Sequence, residues 1–220
     1  MSTLAASDLT SSELTTTSYA ILGLLAVKPW TTYELAQQMG RAMSHFWPRA
    51  RSKLYEEPKK LVAHGLARAS AEQVGRRPRT LYTITPKGRR ALAAWATTES
   101  APPVLESEAL LKVFFAEFGS KQDLLATIQG LRPWLRQRAA LGVHINNAYL
   151  RGQGPFPERL PWLVLAGKFL DDFDIMVENW TEWAAGVVEQ WPDDVRSAEP
   201  DWATLEGMAR RDEEALRRLS

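Results

Sequence analysis

Residues 75–88 read GRRPRTLYTITPKG, and they combine a turn, a strand and the start of a helix. Apolar and polar residues alternate at 80–85, which is typical of a half-buried β-strand. Thr85 and Pro86 follow in the order of a helix N-cap and a first-turn proline. Three arginines lie in the turn before the strand: Arg76, Arg77 and Arg79. The segment therefore predicts a basic hairpin that leads directly into a helix.

Three further helices are predicted upstream, and a second strand completes the hairpin. The helices are expected at 18–28, 33–39 and from Pro48 to about 63, and the strand at 66–71. Pro29, Gly40 and Gly65 are the expected helix ends. These elements form a mainly α fold, a winged helix-turn-helix with a two-stranded wing. In this architecture the third helix enters the major groove of DNA, and the hairpin contacts the backbone or the minor groove.

The third helix and the hairpin turn both carry candidate DNA-binding residues. Those of the third helix are Arg49, Arg51, Ser52, Lys53, Tyr55, Lys59 and Lys60. Four of them are expected to reach the major groove, namely Arg49, Ser52, Lys53 and Tyr55. The wing arginines Arg76, Arg77 and Arg79 are expected at phosphates or in the minor groove. Either feature alone is more often a solvated surface, and their adjacency in one architecture is what favours DNA contact.

Charge is divided unevenly along the chain, although the net charge is only +1. Residues 15–100 contain 14 Lys and Arg against 5 Asp and Glu, whereas residues 101–220 contain 13 against 19. A basic half joined to an acidic half is expected where a nucleic-acid-binding domain is fused to a domain of another kind. A membrane-surface or RNA-binding patch would give the same counts, so the charge supports the DNA assignment without carrying it alone.

The basic half resembles the PadR family of bacterial regulators. The resemblance rests on YAILGLL (19–25), YEL (33–35), LY (54–55), Leu61, GL (65–66), GRRPR (75–79) and YTITPKG (82–88). These segments follow in the family's order and spacing over roughly residues 18–98. LLKVFF (110–115) also looks like the start of the family's helical C-terminal domain. The resemblance implies a homodimeric repressor that is released by a small ligand or another signal.

The chain departs from the family in the third helix, where proline often follows the tyrosine directly. Here Glu56 and Glu57 separate Tyr55 from Pro58. Because proline inside a helix removes one hydrogen bond, we expect a kink near 51–54 or a new helix start near Glu56. The two carboxylates would repel phosphates, so we expect them to face away from the duplex.

Ala101, Pro102 and Pro103 mark the expected boundary between the two halves. The expected domains are a disordered tail (1–14), the winged helix-turn-helix (15–100) and a helical dimerisation domain that could also hold an effector (104–220). Four helices are predicted in the last domain, at 104–118, 121 to about 150 with a bend at Pro133, 158–191 and 201–219.

Apolar residues in the helix at 158–191 step by three and four, which is typical of a helix that pairs with others. The candidate dimerisation residues on this seam are Leu163, Leu170, Phe173, Val177, Trp180 and Val187. A neighbouring stripe repeats every seven residues: Trp162, Phe169, Met176 and Trp183. Because helix-turn-helix dimers match two half-sites, the expected partners are a second copy of the chain and a palindromic double-stranded DNA operator.

Four of the nine tryptophans are candidates for binding a flat aromatic effector: Trp134, Trp162, Trp180 and Trp183. The alternative is that they fill the core and the interface, where each ring buries a large area. The area that each ring can bury makes this alternative the simpler explanation of their number.

Little in the sequence points to catalysis. The chain has no cysteine, and His45, His64 and His144 lack metal-ligand spacing. It has no glycine-rich phosphate loop and no Gly-x-Ser-x-Gly elbow. We therefore expect no enzyme, metal or cofactor, and a cytoplasmic protein without a membrane segment. The alternatives are a MarR-type regulator and a winged-helix module that binds another protein.

Overall fold

The computed structural model describes residues 14–48, 51–74 and 77–220, which divide into two compact units between Pro103 and Val104. The N-terminal unit contains α1 (Thr16–Val27), β1 (Trp30–Thr31), α2 (Thr32–Ala42), α3 (Arg51–Ala63), β2 (Ala67–Val74), β3 (Arg77–Ile84) and α4 (Pro86–Trp95). The C-terminal unit contains α5 (Glu108–Phe114), α6 (Lys121–Gln129), α7 (Leu131–Leu150), α8 (Leu160–Glu189) and α9 (Trp202–Leu219). The predicted mainly α, winged helix-turn-helix fold is confirmed.

The core of the N-terminal unit forms around α1. Ile21 and Leu25 of this helix are at most 1% exposed, and so are Leu35 of α2, Leu61 of α3 and Leu66 before β2. Each fully buried aliphatic side chain contributes about 1.5–3 kcal/mol. This shared core fixes α2 and α3 relative to each other, which is what a helix-turn-helix requires.

A third strand extends the wing at its base. The sheet is antiparallel with the order β1-β3-β2, and Trp30 pairs with Tyr82. The Trp30 indole N–H also donates to the Leu24 carbonyl at 2.8 Å. The sequence did not predict β1, because two residues are too few to show alternation. Its pairing ties the wing to the turn between α1 and α2.

The ends of α3 and α4 meet in a small clasp, which consists of Gly65, Leu66, Thr85 and Gly88. Gly65 has φ +67°, and the Leu66 N–H donates to the Leu61 carbonyl at 2.8 Å, so α3 ends in a Schellman motif as expected for a glycine stop. The Thr85 hydroxyl donates to the Gly65 carbonyl at 2.8 Å. The same hydroxyl accepts the Gly88 N–H at 3.1 Å, which confirms the predicted cap. The clasp therefore fixes the direction in which β2 leaves α3.

Two predicted helix limits in this unit are wrong. The second helix runs through Gly40 to Ala42, because the burial of Leu35 and Met39 outweighs the roughly 1 kcal/mol that glycine costs inside a helix. Pro48 lies outside the third helix, which is described from Arg51 onward and continues across the buried Pro58. It therefore does not start anew near Glu56.

The C-terminal unit is organised around α8. Its C-terminal half packs on α6 through a core of Leu124, Ile128, Ala184, Ala185 and Val188. Val113 and Ala116, from α5 and the turn after it, pack against the same core. Two contacts join α7 to α8: an ion pair between Arg138 and Asp174, and an edge-to-face contact between Trp134 and Phe173.

Three features of this unit differ from the sequence-based expectation. The first helix starts at Glu108, four residues later than expected, because Ser107 caps it. The long helix expected from 121 breaks at Gly130 into α6 and α7. Pro133 lies in the first turn of α7, where its missing N–H costs no hydrogen bond, so it does not bend the helix.

The last turn of α8 is closed by a lysine from α6. The Lys121 ammonium donates to the Glu189 carbonyl at 2.9 Å and to the Trp191 carbonyl at 2.6 Å. These bonds satisfy carbonyls that the helix itself leaves without donors. Among the described residues, no helix is both long enough and apolar enough to span a lipid bilayer.

Candidate nucleic-acid interface

The exposed side of α3 is the centre of the candidate interface. Tyr55 is 41% exposed and Lys59 is exposed one turn later, whereas Leu54, Pro58 and Leu61 are buried on the opposite side. Residues four apart on a helix lie on one face. The helix therefore presents an aromatic hydroxyl and an ammonium together, both of which can donate hydrogen bonds to a nucleic acid.

The two glutamates of α3 occupy different environments. The Ser18 hydroxyl donates to the Glu57 carboxylate at 2.6 Å, so Glu57 turns toward α1 and the interior of the unit. Glu56 is exposed at the edge of the face that carries Tyr55 and Lys59. A negative charge at that edge limits how strongly the face attracts phosphates.

Positive charge also surrounds the start of α2. The Thr31 backbone N–H and hydroxyl each donate to the Glu34 carboxylate at 2.8 Å in a capping box. These bonds lower the pKa of Glu34, the backbone bond most, and the positive charges of Lys28 and Arg79 lower it further. Arg79 on the wing therefore lies near the start of α2. Sequence reasoning missed Lys28, since a single lysine before Pro29 carries no pattern.

The described structure covers part of the predicted DNA-binding set. The exposed side chains are Tyr55, Lys59 and Arg79, and Lys60 is half-buried. Four predicted residues are described by their backbone alone: Arg51, Ser52 and Lys53 in the first turn of α3, and Arg77 at the start of β3. Arg49 and Arg76 lie outside the described residues. The clasp holds α3 next to the base of the wing, so the structure brings these two elements together.

Residues 21–94 match the model of the family described as "Transcriptional regulator PadR-like family". Over these residues the chain is similar to PadR-like regulators. The match spans the helices and the wing just described and ends within α4. It falls on the residues that carry the resemblance found in the sequence.

One named relative agrees with this family match. The chain is similar to the "Negative transcriptional regulator PadR" of Bacillus subtilis (strain 168), at 29% identity over 107 residues. That alignment covers 48% of this chain and 59% of the relative, so it spans little more than half of the relative's length.

Solved structures of PadR-like proteins share the fold of this chain. Bacillus subtilis PadR in complex with operator DNA has a TM-score of 0.60 and 22% identity, over 78% of this chain and 98% of that one. The same protein in complex with p-coumaric acid has a TM-score of 0.54 and 22% identity, over 79% and 98%. At this identity the likeness concerns the fold, and it extends beyond the winged helix because it covers more than three quarters of the chain.

The four candidate effector tryptophans do not gather in one place. Trp162 and Trp183 lie on the single helix α8, 21 residues and thus about 30 Å apart. Trp180 packs against the α6–α8 core. Trp134 contacts Phe173 at 6.5 Å between ring centroids and has the Arg138 guanidinium 5.0 Å from its ring. One protomer therefore offers a local aromatic cluster at Trp134 and not a slot lined by all four.

The predicted dimerisation seam is partly used inside the protomer. Phe173 packs on Trp134, and Trp180 on the α6–α8 core. Of the other seam residues, Leu163 is 37% exposed. The remaining three are half-buried: Leu170, Val177 and Val187. The neighbouring stripe of Trp162, Phe169, Met176 and Trp183 is 48–64% exposed. More apolar surface therefore remains on the stripe than on the seam.

Proposed function

We propose that this chain is a homodimeric repressor that binds an operator in double-stranded DNA and is released by a small aromatic compound. It acts by binding and not by catalysis, in the cytoplasm, where the DNA is. The observation that carries the proposal is a PadR-like winged helix with Tyr55 and Lys59 exposed on α3 and Arg79 exposed at the wing.

The proposed division of labour follows the two elements. Four residues of the third helix and the segment before it read base edges in the major groove: Arg49, Ser52, Lys53 and Tyr55. Lysines and arginines on either side neutralise phosphates: Arg51, Lys59, Lys60, Arg76, Arg77 and Arg79. Two copies related by a two-fold axis make the operator palindromic, with half-sites one DNA turn apart.

Exposed apolar surface on α8 supports the homodimer. The helix presents four large side chains on the stripe beside its seam, each about half exposed or more. Monomeric proteins rarely leave so much contiguous apolar surface in water. Pairing two protomers through this stripe and Leu163 doubles the number of phosphate contacts that each complex makes with DNA.

The aromatic cluster at Trp134 supports an aromatic effector. Trp134 is 39% exposed and contacts Phe173 edge to face, so part of its ring is open to a flat aromatic ligand. The Arg138 guanidinium lies 5.0 Å from this ring and is paired with Asp174, so a ligand carboxylate would compete with Asp174 for it. The p-coumaric acid bound by Bacillus subtilis PadR is an aromatic carboxylic acid, the class of compound that such a cluster suits. We therefore expect quenching of tryptophan fluorescence by such acids, with Trp134→Phe as the variant that loses it.

The salt dependence of DNA binding tests the proposal. Replacing Arg76, Arg77 and Arg79 by alanine should flatten the plot of log affinity against log salt by up to about 3 slope units. Replacement of Arg210, Arg211 and Arg218 by alanine, all on α9, removes the same number of charges and should leave the slope unchanged. Absence of salt-sensitive retention on random duplex at low salt would reject DNA binding and favour a protein-binding winged helix. Selection from a random DNA pool should return a palindrome.

A further inference from the structure

Two apolar patches on the C-terminal unit remain uncovered by the described chain. The α5 patch consists of Leu111, Phe114 and Phe118, which are 60%, 77% and 85% exposed. The α8 patch consists of Trp162, Leu165 and Phe169, which are 64%, 73% and 64% exposed. The patches expose similar areas, and neither is polar enough to stay in water without cost.

The α8 patch belongs to a helix segment that is apolar on every side. Residues 162–166 read WLVLA, and five consecutive residues of a helix point in all directions around its axis. In the described chain α7 packs along α8, yet Val164 and Leu165 are still 58% and 73% exposed. A helix that is apolar all round is normally buried in a larger core. This half of α8 therefore needs a cover that its own protomer does not supply.

The α5 patch lies at the opposite end of α8. Val113 and Ala116 point inward to the core that contains Ala184 and Val188, so Phe114 and Phe118 point outward near that end. Leu165 is 19–23 residues from Ala184 and Val188 on one continuous helix, a distance of about 30 Å. Within one protomer the two patches are therefore too far apart to cover each other.

We propose that in the homodimer the α5 patch of each protomer covers the α8 patch of its partner. This inference rests on the proposed homodimer and specifies how it is built. When two copies of α8 pair antiparallel about their midpoint, the first half of one helix lies beside the second half of the other. α6 packs on that second half and α5 packs on α6 beside the same core, so a single two-fold axis buries both α5 patches and both α8 patches.

The area fits a stable interface. With about 200 Å² for each of the six side chains, their exposed fractions leave roughly 800 Å² of apolar surface per protomer. A standard protein–protein interface takes about 800 Å² from each partner. A second copy of the chain also supplies both patches in equal number, so each α5 patch has an α8 patch to cover.

Cross-linking through introduced cysteines tests the pairing, because the chain has no cysteine of its own. The variant Phe118→Cys/Leu165→Cys, treated with a short bis-maleimide, should give a covalent dimer on a reducing gel. Each single variant should remain monomeric on the gel, because identical patches do not meet across the two-fold axis. Both positions are exposed in the single chain, so the variants should keep the helical content of the parent protein by circular dichroism.

Two further variants separate this inference from the proposed function. Met176→Cys, near the middle of α8, should cross-link wherever two α8 helices pair at their midpoints. If Met176→Cys cross-links and DNA is bound, but Phe118→Cys/Leu165→Cys gives no covalent dimer, the pairing of the patches is wrong and the homodimer stands. A covalent dimer from Leu165→Cys/Leu205→Cys in its place would assign the cover to α9. A chain that is monomeric by light scattering and fails to bind duplex DNA would overturn both proposals.

Discussion

Replacing Gly88 by alanine should destabilise the N-terminal unit through one steric contact in the clasp. A Cβ atom at this position would lie 2.1 Å from the Leu66 carbonyl oxygen and 2.9 Å from Ile84 Cγ1. The carbonyl cannot move freely, because it accepts from the Thr85 N–H at 3.0 Å and shares the Thr85 hydroxyl proton, at 3.1 Å, with the Gly65 carbonyl. Relief of the clash must therefore break these bonds or displace the start of α4.

The loss of stability can be worked out from the cost of overpacking and the cost of the lost hydrogen bonds. Overpacking typically costs about 1–3 kcal/mol, and each hydrogen bond lost adds about 1 kcal/mol. A total of about 3 kcal/mol lowers the Tm of a domain of this size by roughly 12–24 °C. Thermal unfolding of the full chain should show the loss, with amide hydrogen exchange in β2 and β3 identifying the unit concerned.

Gly40→Ala is the matched control for this substitution. Apart from its chain neighbours and the backbone of its own helix, no atom of the described chain lies within 4 Å of a Cβ at Gly40, and alanine is favoured over glycine inside a helix. This variant should be as stable as the parent or more stable by about 0.5–1 kcal/mol. If Gly88→Ala unfolds within about 0.5 kcal/mol of the parent while the control behaves as stated, the account of the clasp is refuted.

Three other substitutions have defined outcomes. Glu56→Gln should raise the affinity for random duplex at low salt roughly threefold, since a charge about 7 Å from a phosphate in water costs about 0.6 kcal/mol; weaker binding in a mobility-shift titration would place Glu56 in a favourable DNA contact. Lys121→Met should destabilise the C-terminal unit by about 1 kcal/mol in urea unfolding, because two carbonyls at the end of α8 lose their donor. Glu34→Gln should lower stability at pH 7 and not at low pH: the pKa of Glu34 in the fold lies below its ordinary value of 4.5, so the carboxylate stabilises the fold above that value and ceases to as the pH falls through the lowered pKa. A stability difference that stays constant from pH 7 to pH 3 would contradict that assignment.

The parts of the fold that the sequence predicted are those with local signals. Gly65 ends α3 and Thr85 caps α4, because a positive φ and a cap hydroxyl depend on a few neighbouring residues. The parts it did not predict depend on contacts between distant residues. Strand β1 exists only through its pairing with Tyr82, and α2 passes Gly40 because the core holds it.

The candidate sites show the same division. The sequence selected Tyr55 and Lys59 as DNA-binding candidates of the third helix, and the structure exposes both of them on one helix face. Spacing also selected Phe173 and Trp180 for the dimer seam, since it cannot tell a partner's surface from the protomer's own α6 and α7. The wing arginines Arg76 and Arg77 remain predictions, to be tested by the salt dependence of binding.

Strand β1 and the clasp hold the wing at two places, and this limits how the wing can move. One joins the wing to the α1–α2 turn, and the other joins it to the recognition helix, so tilting the hairpin would require opening the sheet or the core. The wing and α3 therefore move as one rigid unit. In the proposed homodimer, release from an operator would therefore act through the distance between the two winged helices, which must match the roughly 34 Å repeat of the duplex.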